Sequence, residues 1–426
     1  MSAHASPAPA EDTENALRIP AFAAFWAAAF VSNTGAWVSN IAVPFVIFSI
    51  TGSAWWVGLV AVASFVPGVF MGIIGGVLAD RIDRRRVLIV TQSIQAVAAI
   101  GLWAVWAAGV RDPGVLMIPV AVSGAAQGLN MPSWQAFVHD LVPRSALRSA
   151  VALQSLQLNL ARALGPVIAG GLLATLGAGA AFLINAASFV VVIGVLIVVR
   201  ALHPYIPPAT HENAARQLWE AGSMMLRDRG IALLLVLSAL VGVFANPIFT
   251  FTVVLADDVF RVDALGLGLL NAALGLGAVL AAPIASGRIS SLPLSTTVLC
   301  GLIGFGGAMV ALGVTTSYGV ALILLTIAGA CFLFMIVGIN TSLQMLLPSR
   351  LRGRGIAIRS SVYIAGFPIG AMLSGALSEQ YGVGVAVIVL GGALLVSAAA
   401  LWLPGRGSML ARLNLAGKPA PPAPDL

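Results

Sequence analysis

The stretch Gly76-Val77-Leu78-Ala79-Asp80-Arg81-Ile82-Asp83-Arg84-Arg85-Arg86-Val87-Leu88 sets a dense run of charge between two apolar segments, 54–79 and 86–109. A helix crosses the hydrocarbon of a bilayer in about 20 apolar residues, so this stretch reads as a tight, arginine-rich loop joining two membrane spans. The composition around it agrees. Of the 426 residues 59% are hydrophobic and only 9% charged, and the mean hydropathy is +1.01. Soluble domains carry about 25% charged residues, and this chain has too few to cover a globule of its size with a water-facing surface. That excludes a soluble α/β enzyme, a disordered chain and a nucleic-acid module. The net charge of +7 and the pI near 10.4 belong instead to loops that face anionic lipid. Cys300 and Cys331 both lie in apolar runs, which indicates structural thiols rather than a disulfide framework.

Counting outward from the loop gives twelve spans: 20–49, 54–79, 86–109, 113–138, 149–174 and 178–200, then 230–256, 264–287, 293–314, 317–346, 355–378 and 382–403. The predicted fold is an all-α membrane protein with two six-helix bundles, 19–200 and 230–403. Residues 1–18 are small, polar and acidic and lack the basic n-region of a secretory signal, so they read as a disordered leader. Residues 404–426, rich in Pro, Ala and Gly, read as a disordered tail. The hydrophilic connection 201–229 divides six spans from six, and its end, WEAGSMMLRDRG, reads as a short amphipathic helix lying on the membrane surface. Pro44, Pro67, Pro166, Pro247, Pro283 and Pro368 fall inside spans, where neighbouring helices can re-satisfy the backbone.

The arginines set the orientation. Of the 22 basic residues, Arg111 and Arg261 fall in loops on one side and Arg162 inside a span. All the rest, Arg359 among them, are assigned to loops or tails on the other side. The positive-inside rule makes that side, with both termini, cytoplasmic, in the inner membrane. The halves also echo each other. LVPRSALRSAVAL (141–153) leads to GPVIAGGLLATLG (165–177), and LLPSRLRGRGIAI (346–358) leads to FPIGAMLSGALSEQYG (367–382). Each has Leu-x-Pro at a helix end, a basic loop and a small-residue helix with a mid-span proline. Duplicated halves place a substrate site between them, near the midplane.

The loop at 76–88 resembles motif A of the major facilitator superfamily, G-x-L-A-D-R-x-G-R-R-x-x-L, with Asp83 where that family usually has glycine. The stretches 32–60, 129–170 and 340–358 are similar to the branch that contains enterobactin exporters and macrolide-efflux proteins. The resemblance implies a cytoplasmic latch between the halves in the outward-open state, made by Gly76, Asp80, Arg81, Arg84 and Arg85. In it Gly76 lets a neighbouring helix approach, Asp80 faces the N-terminus of span eleven, and Arg84 pairs with Asp140. Span five, with Ala161, Arg162, Gly165, Pro166, Ala169, Gly170 and Gly171, partly resembles motif C of antiporters and efflux pumps. Small residues at that spacing let helices pack closely.

Motif B is incomplete: Gln127-Gly128 is present, but Gly124 stands where the family has its proton-linked arginine. A basic residue deep in a span is costly without water or a partner, so Arg162 either faces a central cavity or reaches toward the cytoplasmic interface. Asp257 and Asp258, at the outer end of span seven, are candidate proton carriers, with an exposed loop pair as the plainer reading. Amides and aromatics inside spans give the cavity candidates Asn33, Trp37, Gln127, Asn130, Asn246, Asn340 and Tyr363, which suit an uncharged or amphipathic molecule; single amides also serve as helix–helix glue.

The expected function is secondary export of a small amphipathic compound, drug-like or siderophore, by a monomer that moves protons in exchange. Nutrient uptake is the rival, and a transporter-like sensor a more distant one. No catalytic residue, metal or cofactor is expected: no nucleotide-binding Gly-x-x-x-x-Gly-Lys signature occurs, and His4, His139, His203 and His211 all lie outside the spans.

Overall fold

The computed structural model of the chain describes residues 14–79, 81–199, 222–286, 293–348 and 351–402. Twelve helical segments are long and apolar enough to cross a membrane. The first six are α1 (Pro20–Thr51), α2 (Ala54–Ala79), α3 (Arg84–Ala107), α4 (Pro113–Leu141), α5 (Leu147–Thr175) and α6 (Gly177–Val198). In the second half, α7 covers Arg229–Val259, followed by α8 (Ala264–Ser286), α9 (Leu294–Val314), α10 (Tyr318–Leu346), α11 (Arg352–Tyr381) and α12 (Val383–Trp402). No strand occurs among the described residues. The all-α, twelve-span architecture read from the hydropathy is the one the chain adopts.

Large apolar side chains stand exposed around the outside, among them Val97, Ile118, Val190, Ile323 and Val396. In water such a surface would aggregate; in a bilayer it is the lipid face. Cys300 and Cys331 are both free thiols.

Local sequence explains where several helices begin and bend. Asp83, the departure from motif A, is the N-cap of α3: its carboxylate accepts from the Arg86 backbone N–H at 3.1 Å, satisfying a donor that a helix start otherwise leaves bare. Asp112 and Asp228 do the same for α4 and α7. The α7 helix breaks at Asn246-Pro247, because Pro247 has no N–H to continue the ladder, and ends in a π-helical turn, Leu255–Val259.

Contacts between helix ends establish the sidedness. Ala16, at the end of the segment read as leader, donates its N–H to Ser149 at the start of α5 (3.1 Å). Arg84 at the start of α3 pairs with Asp140 at the end of α4, and Arg85 donates to the carbonyls of Leu196 and Ile197 at the end of α6. In the second half, a Cβ placed on Gly230 at the start of α7 would lie 3.6 Å from Leu346 at the end of α10. The motif-A loop, the loops after α4 and α10 and the ends of the 201–229 connection therefore share one side, called here the basic side. Within that connection, residues 201–221 lie outside the described residues. Residues 222–227 form a helical turn, and Met225 is 1% exposed within the hydrophobic core. Met225 buries against the core while its neighbours Met224 and Leu226 stay exposed.

The halves are related by an exchange of partners. In the first, α5 packs on α1 and reaches across to α8; in the second, α11 packs on α7 and reaches across to α2. Spans five and eleven thus hold equivalent places, with Pro166 and Pro368 both buried within them.

Candidate functional site

The seam between the halves is built by α2 against α11 and by α5 against α8. Each pair runs antiparallel, and the contacts keep register along it. A Cβ on Gly375 would stand 3.0 Å from Trp55 Cα, and one on Gly58 2.8 Å from the Ala371 carbonyl. Deeper in, the Phe65 and Phe367 rings meet edge to face with centroids 4.7 Å apart. On the other pair, a Cβ on Gly170 would lie 2.7 Å from the Ala264 carbonyl, one on Gly268 2.7 Å from the Pro166 carbonyl, and one on Gly275 3.2 Å from Ala163 Cα. Any side chain at these glycines would wedge the halves apart. Gly170 and Pro166 of the span-five motif thus belong to the cross-half seam. Gly165 faces inward within its own half, against the Trp37 side chain.

All these contacts lie on the side opposite the basic loops, where a carboxylate adds a further tie. Glu379 near the end of α11 accepts from the Ser53 hydroxyl and, at 3.3 Å, from the Trp55 backbone N–H at the start of α2. An anion at a helix N-terminus is favourable. Toward the basic side, α2 and α5 carry exposed Phe70, Ile73, Leu156 and Leu158. The seam is closed on one face and parts toward the other.

Just inside the closed part, four side chains from both halves converge. The Arg162 guanidinium lies over the Trp37 ring, 5.9 Å from its centroid. The Tyr363 phenol is within electrostatic reach of both Arg162 and Arg359. Arg359 and Tyr363 are one helical turn apart on α11, and Asn33 is one turn from Trp37 on α1, so each pair shares a face. Arg162 is therefore at the seam with an aromatic neighbour, not stretched out to the interface. Arg359, assigned from the sequence to a basic loop, is instead inside α11 and 6% exposed. The helix begins at Arg352, so Arg359 sits two turns in. It stands as far before Pro368 as Gln157 does before Pro166, and Gln157 is likewise buried, at 1% exposure.

The other candidates divide. Asn130 is buried and accepts from the Thr91 hydroxyl at 2.8 Å, so it ties α4 to α3 rather than lining a cavity. Asn271 likewise ties α8 to α7, its side-chain amide donating to the Thr252 hydroxyl at 2.7 Å. Asn33 is half-buried and donates to its own helix, to the Ala29 carbonyl at 3.0 Å. Asn246 sits half-buried at the break in α7, Gln127 is exposed, and the Asn340 side-chain oxygen is buried without a partner. Asp257 and Asp258 are both exposed in the π-turn, with Asp258 in electrostatic reach of Glu379. An apolar groove of about 520 Å³ between α3 and α4, lined by Val97, Ile118 and Val122, opens outward on the lipid face, away from the seam.

Within the motif-A loop, Arg84 and Asp140 pair at 2.7 Å, with side chains 22% and 13% exposed. Arg81 is exposed, and Asp80 lies outside the described residues. The close approach expected at Gly76 occurs one residue earlier. A Cβ on Gly76 would meet nothing within 4 Å, whereas one on Gly75 would stand 2.8 Å from Leu129 Cα of α4. The helix turns Gly75, not Gly76, toward its neighbour.

Twelve spans in two halves, each lending one helix to the other across a seam, define the major facilitator class of transporters. The family of transmembrane secretion effectors matches residues 13–410, and the chain belongs to it. It is 28% identical over 410 residues to an enterobactin exporter of Citrobacter koseri, covering 95% of each chain. To the enterobactin exporter of Escherichia coli O1:K1 it is 28% identical over 365 residues, 85% of this chain and 86% of that one. Among solved structures it is similar in fold to the nucleoside transporter NupG, with a TM-score of 0.71 at 13% identity over 90% of this chain and 98% of that one. A bacterial homologue of the human lysosomal transporter Spinster, in an inward-facing and unoccupied conformation, gives a TM-score of 0.70 at 14% identity, over 94% and 96% of the two chains. The protein is a multi-pass membrane transporter.

Proposed function

We propose that this transporter exports a small amphipathic molecule of the siderophore or drug kind across the inner membrane by alternating access, with protons moving the other way. The observation that carries the reading is the similarity to enterobactin exporters along nearly the whole chain. The seam of motif C supports it, with Gly170 and Pro166 packed on Gly268, because a close small-residue contact between α5 and α8 lets the two halves seal one face. The basic side is cytoplasmic in this reading, with both termini there. The described conformation is then the inward-open one, ready to load from the cell interior.

Glu379 ties the outer end of the seam in this reading. As a carboxylate it holds the start of α2 through Ser53 and Trp55. The motif-A loop completes the cycle at the other face, where Asp80 and Arg81 engage the start of α11 once the cytoplasmic ends meet.

Accumulation in everted membrane vesicles tests the reading. A panel of a catecholate siderophore, a macrolide and a nucleoside, with and without a protonophore, separates export from nutrient uptake. Energy-dependent accumulation of the siderophore or the macrolide, abolished by the protonophore, is the predicted result. Accumulation of none of them, or of the nucleoside only in right-side-out vesicles, contradicts it.

A further inference from the structure

We propose that Arg162 and Arg359 form an anion-binding pair at the seam, so that the transported molecule is an amphipathic organic anion carrying an aromatic ring. The inference rests on the transporter reading and specifies its substrate. Arg359 is 6% exposed, and its Nε and Nη1 have no hydrogen-bond partner; its one side-chain bond is a long one, 3.4 Å, to the neighbouring Ser360 hydroxyl. Burying a guanidinium with its donors bare is among the costlier arrangements a protein can hold. Such groups in membrane spans ordinarily mark a ligand or ion path.

Arg162 enters from the other half and lies over the Trp37 ring, and both guanidiniums act on the single phenol of Tyr363. Among the described acidic groups, Asp140 is paired with Arg84, Glu379 is bound to Ser53 beyond the Phe65–Phe367 contact, and Asp257 and Asp258 are exposed in the π-turn that ends α7. Among the described residues, no carboxylate forms an ion pair with either positive charge. A carboxylate or sulfonate on the substrate supplies the counter-charge, and a planar guanidinium receives it through paired N–H donors. Trp37 and Tyr363 beside the pair offer faces for an attached ring. Because one arginine comes from each half, the bound anion draws the two halves together, which a substrate of an alternating-access carrier must do. The same charges repel cationic compounds from the site.

The test uses the purified full-length protein in lipid nanodiscs and two fluorescent probes of nearly equal shape, dansylglycine, an anion, and dansylglycinamide, its neutral amide. Dansylglycine is expected to bind at least tenfold more tightly than the amide. Arg162→Gln and Arg359→Gln should each weaken dansylglycine at least tenfold while barely changing the amide, and Arg359→Lys should retain part of the preference. Where Arg359→Gln does not elute as a monodisperse protein, Arg162→Gln carries the test alone. Equal binding of the two probes, unchanged dansylglycine affinity in the glutamine variants, or no saturable dansylglycine binding up to millimolar concentration would each overturn the proposal. Vesicle export of organic anions that survives both substitutions would sink the anion site and keep the exporter. Intact dansylglycine binding with no accumulation of any compound would do the reverse.

Discussion

Glu379, one turn from the end of α11, accepts a hydrogen bond from the Ser53 hydroxyl just before α2 begins, joining the second half of the molecule to the first. The Trp55 backbone N–H adds a second donor at 3.3 Å. This tie sits at the outermost point of a seam whose inner contacts involve uncharged groups, glycines against backbone and one ring against another, so it is the part of the closed face most responsive to charge.

Glu379→Gln should loosen that face. The amide keeps the size of the side chain but removes the charge that the helix N-terminus favours, a loss of about 0.3–1 kcal/mol. A cysteine introduced at Phe65, in a background with Cys300 and Cys331 replaced by alanine, lies under the closed seam. It should be labelled slowly by an impermeant thiol reagent added on the far side, and severalfold faster with Glu379→Gln.

Gly170→Val and Gly268→Val should abolish transport while leaving the protein in the membrane. At both positions the space for a Cβ is already taken, 2.7 Å from a backbone carbonyl of the opposite half, and neither carbonyl can move without its helix. Gly171→Val, where nothing lies within 4 Å, should transport normally. Immunoblots beside vesicle uptake check all three.

The pairing of Arg84 with Asp140 should read out as stability. Removing either partner breaks a partly buried ion pair, at a cost of about 1–3 kcal/mol. Both single alanine variants should melt at lower temperature in detergent. The double variant should be less destabilised than the sum of the two, the difference measuring the pair.

Asn130→Leu should act on stability rather than on substrate choice. Its bond from Thr91 joins α3 and α4 within one half, and such bonds in membranes are worth about 0.6–1.7 kcal/mol. A lowered melting temperature with an unchanged ranking of transported compounds is the expected outcome.

Hydropathy made the twelve spans legible because each must be apolar over a fixed length, and the loop arginines separated the two sides. The Arg84–Asp140 pair followed from a motif whose spacing is local. Arg359 escaped because its neighbours Arg350, Arg352 and Arg354 make it look like the end of a basic run, and nothing in the sequence marks that α11 starts at Arg352. Asn130 and Asn33 are the same residue type in equally apolar surroundings; only packing decides that Asn130 bonds to a neighbouring helix and Asn33 to its own. Gly268, the partner of Pro166 and Gly170, lies a hundred residues away in a helix full of glycine, where no local pattern singles it out. Glu379 could be placed at a helix end, but its partner at Ser53 is a contact between the halves.

The central claim is that the two halves move as bodies, so that one face closes as the other opens. Spin labels at Leu176 and Tyr381 report the far face, and labels at Arg144 and Gly353 the basic face, each pair spanning the halves. Pulsed dipolar distances measured in the parent protein and in Glu379→Gln decide it. The account predicts that the far-face distance lengthens and the basic-face distance shortens together in the variant. Both distances unchanged, or both lengthening, would contradict it.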